Sequence, residues 1–176
     1  MDNSLILDKN HELTINTDEE NQYLTFLLAK ELFAIDILNI KEIIEYGQVT
    51  EVPMMPNYVR GVINLRGRVV PVIDLLVRFS QDPSPNSKRT CIVIVEVEKE
   101  GEKHDLGVVV DSVSAVMEIP ADNIEKAPSF GTKVRAEFIE GMGKLVDKFV
   151  IILNVAYVLS VDDMISNVSK LDKMDM

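Results

Sequence analysis

Apolar residues recur along this chain in short alternating or continuous runs, broken by charged pairs, glycines and prolines, and few stretches keep a helical period. From Gln22 the run Tyr23, Leu24, Phe26, Leu27 and Leu28 predicts a strand. Ala29-Lys30-Glu31 predicts a turn, and Leu32, Phe33 and Ile35 the return strand of a hairpin. Between Ile35 and Ile44 the residues Ile37, Ile40 and Ile44 fit helical spacing, but the β-branched content favours a short turn followed by a strand. Val52-Pro53-Met54-Met55-Pro56 cannot continue a regular helix or a central strand, because each proline lacks a donor and restrains the residue before it. Pro56 instead predicts the first position of a helix through Asn57-Tyr58-Val59 towards Ile63. Leu65 to Val70 reads as extended and bent at Gly67, and Asp74 as the N-cap of a helical turn over Leu75, Leu76, Val77, Arg78 and Phe79.

After a polar stretch at 80–87 the second half is mostly strand. Thr90 to Val97 is almost wholly β-branched, Lys99-Glu100-Gly101-Glu102-Lys103 is a charged hairpin tip, and Leu106 to Val110 returns. Val113, Val116, Met117 and Ile119 carry the pattern to Pro120, and a looser stretch runs from Ala121 to Arg135. Phe138 to Val146 and Phe149 to Leu153 predict a further strand pair. Ser160 predicts the cap of a closing helix with Val161, Met164, Ile165, Val168 and Leu171 on one face. Many short strands with few short helices predict a mainly β chain of small-barrel or sandwich type. No internal repeat is evident residue by residue, yet two strand-rich halves flank residues 80–87 and predict two sub-barrels, between which strands are free to exchange.

Composition bounds the rest. A chain of 176 residues, 47% hydrophobic and 27% charged, is sized for one domain with its own core. The single cysteine, Cys91, excludes an intramolecular disulfide, and with only His11 and His104 beside it there is no cysteine-rich zinc site. No apolar run approaches the roughly 20 residues that span a bilayer, and the first residues lack the basic start and apolar block of a signal peptide. A soluble, cytoplasmic protein is expected. The net charge is −11; residues 1–20 hold six acids against one lysine (−5) and residues 162–176 four against two (−2), leaving −4 for the body. Nucleic acid, bound through clustered lysine and arginine, is therefore not an expected partner. Residues 1–20 are expected to form an acidic, disordered tail, 21–165 a single domain, and 166–176 a helix end and tail.

Catalytic chemistry is not visible. His11 falls in the tail and His104 at the edge of a charged hairpin, so neither reads as a base for a nucleophile. Cys91 heads an apolar strand, where a buried thiol is inert. Glu96, Glu98, Glu100 and Glu102 belong to a solvated hairpin. Gly141-Met142-Gly143 lacks the third glycine and the helix of a phosphate loop, and reads as a bulge or a site of close packing. No metal and no cofactor is expected.

One segment carries more than local structure: Gly61-Val62-Ile63-Asn64-Leu65-Arg66-Gly67-Arg68-Val69-Val70-Pro71-Val72-Ile73-Asp74-Leu75. Turn, capping and strand-end duties account for Gly67, Asn64, Asp74 and Pro71, but not for Arg66, a guanidinium held between a turn glycine and an apolar strand. This run resembles the signature of the CheW family, the adaptor proteins of bacterial chemotaxis. Further matches follow in order: Gln22 to Phe26, Phe33 to Ile37, Glu42 to Ile44, Val52 to Gly61, and Gly107 to Val113. Together they cover roughly residues 20–165; the acidic leader is not part of the pattern.

The resemblance implies two small SH3-like five-stranded β-barrel subdomains around a shared apolar core, without catalysis. It implies an adaptor that links the cytoplasmic hairpin tip of methyl-accepting chemoreceptors to the regulatory domain of the histidine kinase CheA, recruited to membrane-associated arrays without inserting in the membrane, and monomeric when free. Carried over by position, Arg66, Asn64 and Gly61 fall near the receptor-contact groove, Ile40 and Glu42 on the strand lining it, and Val113 and Val116 on its opposite wall. An ordinary core role competes for Ile40, Val113 and Val116. The kinase contacts are expected on the first-half barrel. Other readings are a small-molecule-binding barrel, an enzyme using scattered carboxylates, or an adaptor for a kinase of pili, surface motility or development.

Overall fold

The structure is a computed structural model that describes residues 6–7, 13–14, 21–127 and 134–159. The helix predicted from Ser160 lies outside the described residues. In chain order the strands are β1 (Ile6–Leu7), β2 (Leu13–Thr14), β3 (Gln22–Leu28), β4 (Glu31–Asp36), β5 (Ile40–Glu45), β6 (Val59–Leu65) and β7 (Arg68–Asp74). They continue as β8 (Cys91–Lys99), β9 (Glu102–Val110), β10 (Ser112–Glu118), β11 (Ile124–Glu125), β12 (Ile139–Lys144) and β13 (Phe149–Leu153). Two one-turn helices, α1 (Leu75–Arg78) and α2 (Val155–Val158), follow β7 and β13, and 3-10 turns occupy Ile37–Asn39, Ala121–Asn123 and Ala136–Phe138. Within the acidic leader β1 and β2 pair with each other.

The main strands form two sheets, ordered β5-β8-β9-β7-β6 and β10-β3-β4-β13-β12-β11. Residues 80–87 do not divide them. The hairpin β3–β4 from the first half completes the second-half sheet, and β8–β9 from the second half completes the first-half sheet; the parallel pairs β7·β9 and β4·β13 are two of the seams. Both sheets curl. Thr50, beyond β5, exchanges two backbone hydrogen bonds of 2.9 and 2.8 Å with Val62 of β6, so the opposite edges of the five-stranded sheet meet. In the other sheet six flat strands would set β10 and β11 about 24 Å apart. The chain crosses from Glu118 to Ile124 through a 3-10 turn and reaches at most about 21 Å.

Three apolar clusters follow from this curling. Ile63, Val70, Val72, Ile92, Ile94 and Val109 fill the five-stranded sheet. Tyr23, Ala34, Ile119, Val150 and Ile152 fill the other. The largest cluster lies between the sheets, where the rings of Phe26, Phe33, Phe79 and Phe138 succeed one another at centroid distances of 6.2, 6.0 and 5.8 Å. The expected architecture of two strand-rich subdomains around a shared core holds, with a sixth, two-residue strand in the second.

The helix predicted from Pro56 does not form. Val59 N–H donates to the Pro56 carbonyl (3.0 Å), closing one turn, after which Val59, Val62 and Ile63 pair with β7 as strand. A β-bulge beside Gly61, whose φ is +153°, fits strand and no helix. The sequence pattern does not predict β11 or α2, nor the short β1–β2 pair within residues 1–20, a stretch expected to be disordered. The Asn154 side chain caps α2 by accepting from Tyr157 N–H (3.2 Å), as Asp74 caps α1 by accepting from Val77 N–H (3.2 Å).

These caps belong to a repeat. Gly61 and Gly141 each follow a bulge in the outer strand of a hairpin; Asp74 ends the partner strand of the first and Asn154 directly follows that of the second, and both pairs are 80 positions apart. Asp74 N–H donates to the Tyr58 carbonyl (2.7 Å), and Asn154 N–H to that of Phe138 (2.8 Å), again 80 positions on. Close packing is why Gly141 and Gly143 lack side chains. A Cβ would stand 2.5 Å from Ile124 Cγ2 at the first and 2.8 Å from Val150 Cγ1 at the second.

Candidate functional site

The β6–β7 hairpin turns on two residues, Arg66 and Gly67, with φ of +52° and +83°. Both angles positive make a type I′ turn, which suits the right-handed twist of paired strands. Asn64 secures it by accepting from Gly67 N–H through Oδ1 (2.8 Å). Arg66 thus holds a left-handed conformation that a non-glycine residue adopts at some cost. The turn fixes the direction in which its side chain leaves the backbone.

That direction is across the barrel mouth. Glu42 lies opposite Ile94 of β8, so it shares the face of the inner cluster of the five-stranded sheet. Arg66 Nη2 donates to Glu42 Oε2 at 2.5 Å. The carboxylate side chain is 7% exposed and the arginine side chain 65%. The second carboxylate oxygen, Glu42 Oε1, is buried without a hydrogen-bond partner among the described residues. Around the pair the strand surface is charged. Lys41 bonds Asp105 (3.1 Å) and approaches Glu96 (3.5 Å), and Arg68 reaches Asp105 at 3.6 Å.

The other expected site residues are distributed differently. Gly61 is buried beneath the backbone of Thr50, where a Cβ would sit 2.2 Å from the carbonyl oxygen, so it shapes the barrel edge and presents no side chain. A bulge at Lys41 separates Ile40 from Glu42: Ile40 pairs with Val95 and packs, 8% exposed, in the cluster between the sheets. Val113 and Val116 lie half-buried on β10 at the margin of that same cluster. Arg66, Glu42 and Asn64 are therefore one assembly, while Ile40, Val113 and Val116 belong to the shared core and its rim. Leu38, 62% exposed in the 3-10 turn before β5, was not anticipated; the Asp36 side chain, accepting from Leu38 N–H (2.9 Å), holds the turn that displays it. The Asp-x-Leu spacing ahead of a strand is the signal that would have found it.

His104 and Cys91 lie at different points along the β8–β9 ladder, opposite Val97 and Val110 respectively. His104 is half-buried with Glu102 at 3.7 Å. Cys91 is half-buried, and burial, with the Glu45 charge beside it, pushes its thiol up and away from thiolate character. Among the described residues no group of three or more His, Cys, Asp or Glu could hold a metal ion. A cavity of about 10 Å³ between the sheets, lined by Ile35, Leu75, Val108, Leu153, Val155, Val158 and Leu159, is smaller by more than an order of magnitude than pockets that take metabolites. No described helix is long and apolar enough to cross a membrane.

Comparison with known proteins agrees with this arrangement. The family model of the CheW-like domain matches residues 22–163. The chain is 36% identical over 151 residues to the chemotaxis protein CheW of Klebsiella aerogenes, covering 85% of this chain and 89% of that one. It is 33% identical to the CheW of Helicobacter pylori, covering 84% and 86%. A crystal structure of the scaffolding protein TtCheW from Thermoanaerobacter tengcongensis superposes with a TM-score of 0.72 at 36% identity, covering 81% of this chain and 89% of that chain. With the signature run, the curled sheets and these relatives in agreement, the chain belongs to the CheW family.

Proposed function

We propose that this chain is a non-catalytic chemotaxis adaptor that couples the cytoplasmic tip of methyl-accepting chemoreceptors to the histidine kinase CheA, and so places the kinase under receptor control. The observation that carries the receptor half is the Arg66–Glu42 pair: a guanidinium fixed by a type I′ turn and aimed over a buried carboxylate, with most of its surface open to a partner. Arginine in such a pre-organised setting is a frequent anchor of interfaces. Exposed Leu38 and half-buried Val113 and Val116 supply apolar surface suited to one face of a receptor helical hairpin. Ile40 supports that surface from within, and Asn64 and Gly61 hold the turn and barrel edge that present Arg66. The kinase regulatory domain takes a different face, since ring-like assemblies require heterologous contacts. The adaptor acts in the cytoplasm and is recruited to receptor arrays through these contacts. Family membership supports the scaffold role. Co-sedimentation with purified kinase and a receptor tip fragment tests the reading: both partners are expected in the pellet fraction, and absence of either at micromolar concentrations contradicts it.

A further inference from the structure

We propose that two copies of this chain exchange halves into a domain-swapped dimer, hinged at residues 80–89. The topology supplies the partner. Residues 21–79 give β3–β4 to one sheet and β5–β7 to the other, and residues 90–159 give β8–β9 and β10–β13 in the reverse sense. Four strand seams join the halves: β5·β8, β7·β9, β10·β3 and β13·β4. A second copy reproduces each of them residue for residue, so the exchange alters little except the hinge.

The hinge suits this use. Gln81 N–H bonds the Leu76 carbonyl (2.8 Å) and Ser87 N–H the Thr90 hydroxyl (2.8 Å), anchoring its two ends. Between them Pro83 and Pro85 favour extended backbone for Asp82 and Ser84. The folded-back path is held by Arg60 on Asn86 Oδ1 (2.7 Å) and the Ser84 carbonyl (3.5 Å), and by the Ser84 hydroxyl donating to Asp111 (3.0 Å). These contacts join the loop to both halves and favour the closed monomer at low concentration. Mass action favours the exchanged dimer when chains refold together at high concentration.

The native cysteine makes the exchange readable. Glu45 of β5 lies directly opposite Cys91 of β8. The next pair carries the Tyr46 N–H to Thr90 carbonyl bond, so the 45–91 pair is of the non-hydrogen-bonded kind. Its Cα atoms are then about 4.5 Å apart, within disulfide reach. In a Glu45→Cys variant, oxidation links a monomer to itself but joins two chains of an exchanged dimer. After refolding at millimolar concentration, light scattering is expected to show a species of twice the 19.8 kDa chain mass, and oxidised material from that peak to run as covalent two-chain species on a non-reducing gel. A full-sequence variant lacking only residues 82–86 is expected to be dimeric throughout, because shortened hinges invite swapping. Absence of the dimer peak, a dimer whose oxidised chains run singly, or a shortened chain that gives no folded dimer overturns the proposal.

Discussion

Arg66 and Glu42 stand on opposite edges of the five-stranded sheet, yet their side chains meet at 2.5 Å. The ion pair, with the Thr50–Val62 bridge, joins those edges and closes the barrel mouth. An arginine two-thirds exposed gives little stability through such a bond by itself. Its removal leaves a buried carboxylate with neither oxygen satisfied, which is the larger effect. The pair is thus a stability element and a presented surface at once, and a test must separate the two.

Asp74 and Asn154 perform the same capping duty 80 positions apart, but only Asp74 also binds a cation: Arg60 lies 2.9 Å from its Oδ2, with side chains 18% and 6% exposed. Asn154→Ala is expected to lower stability by about 1 kcal/mol, the usual value of a lost cap. Asp74→Ala is expected to cost about 3 kcal/mol, because besides the cap it removes the counter-charge of a largely buried guanidinium that keeps only neutral acceptors on Asn86 and Ser84. Urea unfolding of both variants checks this, and equal losses would mean that the ion pair adds nothing.

Gly61→Ala should be severely destabilising. Its Cβ would be driven into the Thr50 carbonyl at a backbone angle that favours glycine. A loss of about 3 kcal/mol or more is expected in thermal or urea unfolding. Gly67→Ala meets no atom within 4 Å and should cost only the positive-φ strain, about 1–2 kcal/mol.

Glu140, at the bulge of β12, has its carboxyl raised above the ordinary 4.5, first by burial and then by the nearby charge of Asp36; Tyr23 is raised by burial and by both acids. The folded state therefore holds this proton more tightly than the unfolded chain. Its contribution favours folding below about pH 4.5 and is lost as pH rises through the raised value. Glu140→Gln is expected to raise Tm by about 1–2 °C at pH 7, a small effect because the side chain is only partly withdrawn from water and its repulsion is screened. Near pH 3.5 the variant should match the parent chain; an effect that persisted there would not be this repulsion.

The strand runs, the Asp74 cap, the turn before β5 and the hairpin tip at Gly101 were legible because each is a local matter of side-chain alternation, capping or turn chemistry. The helix expected from Pro56 was misread because the register of Val59 to Leu65 is set by β7 and Thr50, which are remote in sequence. The repeat is not legible in the sequence for a similar reason. Tyr58-Val59-Arg60-Gly61 and Phe138-Ile139-Glu140-Gly141 share pattern but only the glycine as identity, and their likeness shows once both bulges and both caps are placed. Arg66 stands out in the sequence beside a turn glycine, but its pairing with Glu42 is visible only in the fold, since Glu42 lies 24 positions away on another strand.

Receptor-tip affinity measured alongside kinase affinity tests the proposed role of Arg66 most directly, in the parent chain, in Arg66→Ala and in Arg66→Ala combined with Glu42→Gln. The single variant is expected to weaken receptor binding about 30-fold, the equivalent of about 2 kcal/mol. The double variant, relieved of its stranded carboxylate, should regain stability while leaving receptor affinity low and kinase affinity unchanged. Receptor affinity that recovered together with stability, or that never fell, would contradict the assignment of Arg66 as the residue that meets the receptor.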